Sequence, residues 1–519
     1  MKKIVTVVVV LVLVLAVAPW GVGKLAEKRI DYGLDKLVEV APYLKVVERK
    51  YTSGWFKSEQ LVTFEVFEPW MRALSPKAIE EAMKKDGATA EKSAASDGDS
   101  ANVAKDQDVA VSASPEASPP DAQPSADESA APPEKPAEPL RFTVRNEILH
   151  GPVLGLAGFG IARVDSHLVL SDETRKKIAE IFGPKDPVEV TTRVGFFGGG
   201  TTSFKSEGRT IKPKGEKVEI SWDTFKLAIG YSKNADTYDM DGKWPKLEVK
   251  NLDDKSHFVM TDMTIDGDFE RSRGDLYDGD FTFAIDQMNV VSKDAKEFEL
   301  KGLHYIVDAE TKGDFYGMGA KFGTGEVKVK ELTAMGIELK EVHYDFGLRR
   351  LHAPTLEKIM ADTKELYAKP LVNVAELDKV IFAPFKDHAD ELLKYDPEFV
   401  IDRIGIVTAD GDGFVKGVIT LKGATVGDFG AGNMALIPKI HADITIDVSE
   451  KMVQKFPNGS TAAGAGVDSG YVKREGDRLI CKILFVDGKL TVNGKPQAIP
   501  GLGGPPPQNS SSGGPPPQE

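Results

Sequence analysis

The chain has 519 residues, 41% of them hydrophobic, and a net charge of -14, which leaves room for two to four domains at about 100–200 residues each. Its single cysteine, Cys481, excludes an intrachain disulfide and reads as a small buried residue rather than a nucleophile. The negative charge is concentrated in residues 86–139, with 12 acids against 3 lysines, and nowhere do Lys and Arg gather into the basic stripe that phosphate binding needs, which argues against a nucleic-acid partner.

Lys2 and Lys3 precede an uncharged run from Ile4 to Gly23. As a helix it would rise about 30 Å, enough to cross a hydrocarbon core, and the leading positive charge keeps the N-terminus cytoplasmic. Ala16-Val17-Ala18 has the small-x-small form of a cleavage site, but Pro19 follows directly and resists signal peptidases. The expectation is an uncleaved signal-anchor over residues 1–23, with the membrane as its partner and the remaining chain outside the cytoplasm.

Residues 24–85 read as a helix followed by a first hairpin. Leu25, Ile30, Leu34, Leu37, Val38 and Ala41 approach helical spacing up to Pro42, and this helix either stands as a stalk or packs on the body. A hairpin follows over 46–66, with its turn at Thr52-Ser53-Gly54 and with Phe56, Val62, Phe64 and Val66 on one parity. Gly54 is expected to supply a positive φ there. Ser53 and Ser58 have no His or Lys placed nearby in sequence to activate them, so the stretch reads as a turn with flanking aromatic packing.

Residues 86–139 are rich in Ala, Ser, Asp and Pro and nearly empty of large apolar residues, so they read as a disordered acidic insert. The body runs over 140–500. Short alternating runs recur, among them 217–222, 225–231 and 280–286, separated by Asp-Gly signals at 239–242, 265–269 and 277–281 that read as hairpin turns. Helices are expected at 172–182 and, in two or three pieces divided by Pro370 and Pro384, over 354–394. The tail, 501–519, is Pro/Gly-rich. The fold class expected is mainly β with minor α, long antiparallel meander sheets behind an N-terminal transmembrane helix. One side of such a sheet is apolar; it is either self-buried, the preferred reading, or left open as a lipid groove.

Three motifs in fixed order carry a resemblance: Tyr51-x-x-Gly54-Trp55-Phe56-x-Ser58-Glu59, then His150-Gly151-Pro152, then Asp487 to Pro496 with Asn493-Gly494 inside it. Together with the N-terminal span they resemble the YdgA-like family of bacterial inner-membrane-anchored envelope proteins of unknown function. The resemblance implies a single-pass inner-membrane protein with a periplasmic β-rich body and carries over no catalytic residue. The acidic insert and the Pro-rich tail depart from it.

The eight histidines are scattered without zinc-helix spacing. His150 reads as a strand-end residue bonded to backbone. Residues 195–202, Gly-rich, lack the Lys-Ser/Thr of a phosphate cradle, and Asp410 to Gly413 lacks the third ligand and closing Glu of a calcium loop. No catalytic, metal or cofactor site is assigned. The chain is expected to be a non-catalytic envelope protein that binds a protein partner, a lipid or a glycan; the alternative is an envelope hydrolase whose site is assembled from residues distant in sequence.

Overall fold

Period-two alternation of apolar and polar residues puts one face of each strand toward a core, and here it recurs through most of the chain. The computed structural model describes residues 22–38, 41, 44–66, 140–155, 158–213, 215, 217–293, 297–368, 383–429 and 435–498. The expected acidic insert (86–139) and tail (501–519), and the expected span apart from residues 22 and 23, lie outside the described residues. Among the described residues no helix is long and apolar enough to cross a membrane.

The strands form one antiparallel sheet. The first are β1 (Leu44–Thr52), β2 (Lys57–Val66), β3 (Leu140–His150), β4 (Ala162–Val169), β5 (Glu189–Val194), β6 (Gly200–Ser206), β7 (Arg209–Ile211), β8 (Val218–Trp222) and β9 (Phe225–Tyr231). The long central strands are β10 (Thr237–Asn251), β11 (His257–Arg273), β12 (Leu276–Val291) and β13 (Glu297–Lys312). Then come β14 (Phe315–Thr324), β15 (Val327–Val329), β16 (Leu339–His352), β17 (Glu398–Thr408), β18 (Gly411–Leu421), β19 (Ile440–Ser449), β20 (Lys473–Glu475), β21 (Arg478–Val486), β22 (Lys489–Val492) and β23 (Lys495–Gln497). They pair almost wholly with their neighbours in sequence. The main ribbon skips only short strands: β8 attaches to the second half of β10 and carries β7 on its other edge, β15 attaches to the first half of β13, and β20 to β21.

Registers show how this ribbon segregates its faces. Val190, Phe204, Leu227, Gly242, Ile265, Phe283, Tyr305, Phe322, Tyr344, Ile404, Val415, Ile446 and Cys481 stand directly opposite one another, strand by strand, from β5 to β21. Directly opposed residues share a face, so this is one apolar row. At about 4.8 Å per strand it extends about 58 Å. Two further rows follow on one side of it, the first through Ile229, Phe281 and Phe346, the next through Tyr231, Ala309 and Leu348. A bulge in β17, which skips Asp402 between Ile401 and Ile404, keeps both isoleucines on the apolar side.

The sheet also shifts phase. Trp244, Met263, Ile285 and Leu303 are mutually opposed, and so are Leu247, Met260, Met288 and Leu300, three positions away on each strand instead of two. Between the two sets lie Pro245, which has no N–H, Asp262 at φ 49° and Gly302 at φ 60°. That break brings side chains from both arms into one cluster built on Met260, Met263 and Ile285.

The Asp-Gly signals at 239–242, 265–269 and 277–281 are not turns. They lie inside β10, β11 and β12. Gly242 stands where a Cβ would press on Leu227 and Ile265, and Gly267 where it would meet Met240 and Phe269, so these glycines admit bulky neighbours on the apolar face. The turns fall instead between the strands, as at Gly274 and Gly313. Helices occupy Asp172–Phe182, Ala353–Ala368, 383–387 and Ala389–Leu393. Helix 22–38 packs on the first strands through Ala26 and Ile30, against Ile148, Ile161, Ala162, Val164 and Val194.

Candidate functional site

Antiparallel pairing sends β1, β3 and β5 toward the same end of the sheet, where the turn 53–56 and the connection 151–161 lie side by side. Two motifs far apart in sequence meet there. The backbone N–H of His150 donates to the Phe56 carbonyl at 2.9 Å, extending the β2–β3 ladder past its last registered pair. This places the imidazole over Ser58, with His150 Nε2 2.9 Å from Ser58 Oγ and His150 Nδ1 3.2 Å from the Trp55 carbonyl oxygen.

A carbonyl only accepts, so Nδ1 carries the proton and Nε2 accepts the Ser58 hydroxyl hydrogen. Ser58 Oγ in turn accepts from the Gly54 N–H at 3.3 Å. Chemically this is the tautomer that a serine–histidine pair needs for proton abstraction. It is, however, enclosed: Ser58 is 7% and His150 4% exposed, and a Cβ on Gly23 of helix 22–38 would overlap the imidazole. The group orienting Nδ1 is a backbone carbonyl and no carboxylate takes that place.

Tyr51, the last aromatic of β1, packs against the cluster beneath helix 22–38, and burial pushes its phenol above the ordinary range, opposed by the Ser58 hydroxyl. Gly54 does not take a positive φ. Its necessity is steric, because a Cβ there would run into the Lys57 carbonyl oxygen. The aromatics beside it are not packed inward: Trp55 and Phe56 are both more than half exposed, so the expected aromatic packing at this turn is corrected. Glu59 is exposed between Thr52 and Glu147. Gly151 lies so close to Gly160 that no side chain fits, and the Gly151–Pro152 bond is cis. Gly160 donates its N–H to the Pro152 carbonyl at 3.2 Å.

Asn493 and Gly494 are not brought to this site. Both have positive φ in the turn joining β22 and β23 at the other end of the ribbon, and buried Asn493 accepts from the Lys482 N–H at 3.0 Å and donates to the Tyr471 carbonyl at 3.0 Å. Their role is that of a hairpin corner.

A polar chain next to Ser58 was missed by sequence reasoning. Ser166 Oγ donates to Asn146 Oδ1 at 2.8 Å, Asn146 Nδ2 to Gln60 Oε1 at 3.1 Å, and Gln60 Nε2 to Asp31 Oδ1 at 3.2 Å. Burial raises the Asp31 carboxyl pKa, opposed by the Arg49 guanidinium 3.3 Å away. The available signal was parity: Gln60 and Asn146 occupy the apolar side of β2 and β3, alongside Val62 and Ile148. Among the described residues no group of His, Cys, Asp and Glu could hold a metal ion.

Neither the curated proteins nor the solved structures contain a match to this chain. The family model described as bacterial protein of unknown function (DUF945) matches residues 1–500, and the chain belongs to that family.

Proposed function

We propose that this chain is a non-catalytic, YdgA-like envelope protein, anchored in the inner membrane by residues 1–23 with a periplasmic body, whose apolar sheet face holds lipid acyl chains. The observation that carries this reading is a contiguous patch on β13, β14, β16 and β17. Tyr305, Met318, Phe322, Tyr344, Phe346, Leu348 and Phe399 share the apolar side of these four consecutive strands, and each is at least 38% exposed. The Phe322 and Tyr344 rings meet in a tilted contact at 6.3 Å between centroids, those of Phe346 and Phe399 at 6.2 Å. Monomeric proteins rarely leave so large an apolar patch without a binding role.

Hydrocarbon is the occupant that suits it. Across β9 to β21 the three apolar rows contain no charged or amide side chain. The strand backbones are already paired with each other, so an extended peptide laid on this face would bury its own N–H and C=O groups without partners. An acyl chain carries no such groups.

The test is a photoreactive side chain at Phe322, with Lys321 on the opposite face as control, in the full chain purified from bacterial membranes. A diacyl-lipid adduct at 322 and none at 321 is expected. A cross-linked dimer at 322, with no lipid adduct, would overturn the reading in favour of a second copy covering the face.

A hydrolase is favoured by one observation, the hydrogen bond between Ser58 and His150. Labelling of Ser58 by an active-site phosphonate in the native chain would establish it. The burial of both groups speaks for no labelling.

A further inference from the structure

Helix 22–38 enters the body at one end of the sheet. Gly23 abuts His150, the last residue of β3, while Asp31, two turns on, is beside Gln60 in the middle of β2. The N-terminal end of this helix therefore lies at the end of the sheet where β1, β3 and β5 finish. In sequence, what precedes it is the uncharged run that starts at Ile4.

Three adjacent turns at that end carry large apolar side chains pointing away from the core: Trp55 and Phe56 between β1 and β2, Val153 and Phe159 between β3 and β4, Phe196 and Phe197 between β5 and β6. Phe159 is 71% and Phe197 92% exposed. Such exposure is costly in water, and in each turn two such residues sit close together. Cations at this end include exposed Lys28, Lys57 and Arg193, Lys24, which is ion-paired with Glu27 at 3.1 Å, and Arg29, whose guanidinium lies beside Gly198. Aromatic rings and cations at the end where the helix begins, with an uncharged run before it in sequence, match the chemistry of the headgroup region, where rings settle among acyl-chain ends and cationic groups meet anionic lipid.

We propose that these three turns form a membrane-docking surface, seating the first hairpins of the sheet in the headgroup layer of an anionic bilayer. The inference rests on the reading of residues 1–23 as a membrane span and adds a second contact that fixes the body's orientation. With that end on the bilayer, β1 to β6 stand upright from the membrane.

The test uses the full chain in vesicles of equal parts phosphatidylethanolamine and phosphatidylglycerol. An environment-sensitive fluorophore is attached to Phe197→Cys or Phe159→Cys in a Cys481→Ser background, and to Lys176→Cys, on the exposed helix Asp172–Phe182 at the opposite end of the strands. Labels at 197 and 159 are expected to lose iodide quenching severalfold relative to 176 and to be quenched by lipid-borne nitroxide. Equal iodide quenching at all three sites in chains that float with the vesicles would overturn the docking surface and leave the anchor standing. Failure of the chain to float with the vesicles would overturn both.

Discussion

Ser58 Oγ and His150 Nε2 lie 2.9 Å apart across 92 positions of sequence, under the single turn of helix that contains Gly23. The bond ties the first hairpin to β3 and gives helix 22–38 a flat imidazole to pack on. With Nδ1 committed to the Trp55 carbonyl, Nε2 is satisfied by the Ser58 hydroxyl. Replacing Ser58 by Ala leaves a buried acceptor without a donor, and a loss of about 1–3 kcal/mol in urea unfolding is expected. An unchanged midpoint would mean that water reaches Nε2 and that the pair is open to substrate.

Gly23 and Gly33 occupy the same helix and should respond in opposite ways to Ala. At Gly23 a Cβ overlaps the His150 ring, and overpacking of this kind costs about 1–3 kcal/mol. At Gly33 nothing lies within 4 Å, so Ala should stabilise by about 0.5–1 kcal/mol through helix propensity alone. Thermal unfolding of the two variants measures both signs.

The turn at 53–56 separates steric need from exposure. Gly54→Ala drives a methyl into the Lys57 carbonyl and should destabilise by about 1–3 kcal/mol. Trp55→Ala, at a side chain more than half exposed, should move stability by no more than about 0.5 kcal/mol. A fall of several kcal/mol for Trp55→Ala would show the ring buried in solution.

On the face opposite the apolar rows, Asp239, Asp268, Asp280 and Asp308 stand directly opposite one another on four neighbouring strands. Like charges in this position repel, by about 0.2–1 kcal/mol for each pair. Asp268→Asn should therefore raise the urea midpoint, and the gain should shrink as salt screens the row. A lowered midpoint would mean that Asp268 has a cationic partner in solution.

The Lys439 ammonium, 2.6 Å away, together with Thr425, holds the Asp428 carboxyl down to about 2 from an ordinary 3.8. The folded value lies below the unfolded one, so the stabilisation is present above the unfolded pKa and is lost as pH falls from about 4 through about 2. Asp428→Asn should lower the urea midpoint at neutral pH and lose less of it across that acid window. Parallel acid titrations of the two proteins decide this.

Alternation in the sequence determined the mainly β class, the hairpin expected over 46–66 and found over 44–66, and the helix at Asp172–Phe182, because periods of two and 3.6 are local properties of the chain. The residues of the Tyr51–Glu59 and His150–Pro152 motifs were visible as oddities, without a reason for their company. What the sequence left open depended on contacts between distant residues. An Asp-Gly pair makes a turn when the chain must reverse, but Asp266-Gly267 sits in a seventeen-residue strand, where the missing Cβ makes room for Met240 and Phe269. Whether Ser58 had a base nearby could not be read within its own turn, since the imidazole arrives on β3 and only the β2–β3 register brings it there. Register likewise decided that thirteen separate apolar residues form one row, because a slip by one position would have turned each strand's apolar set to the opposite face.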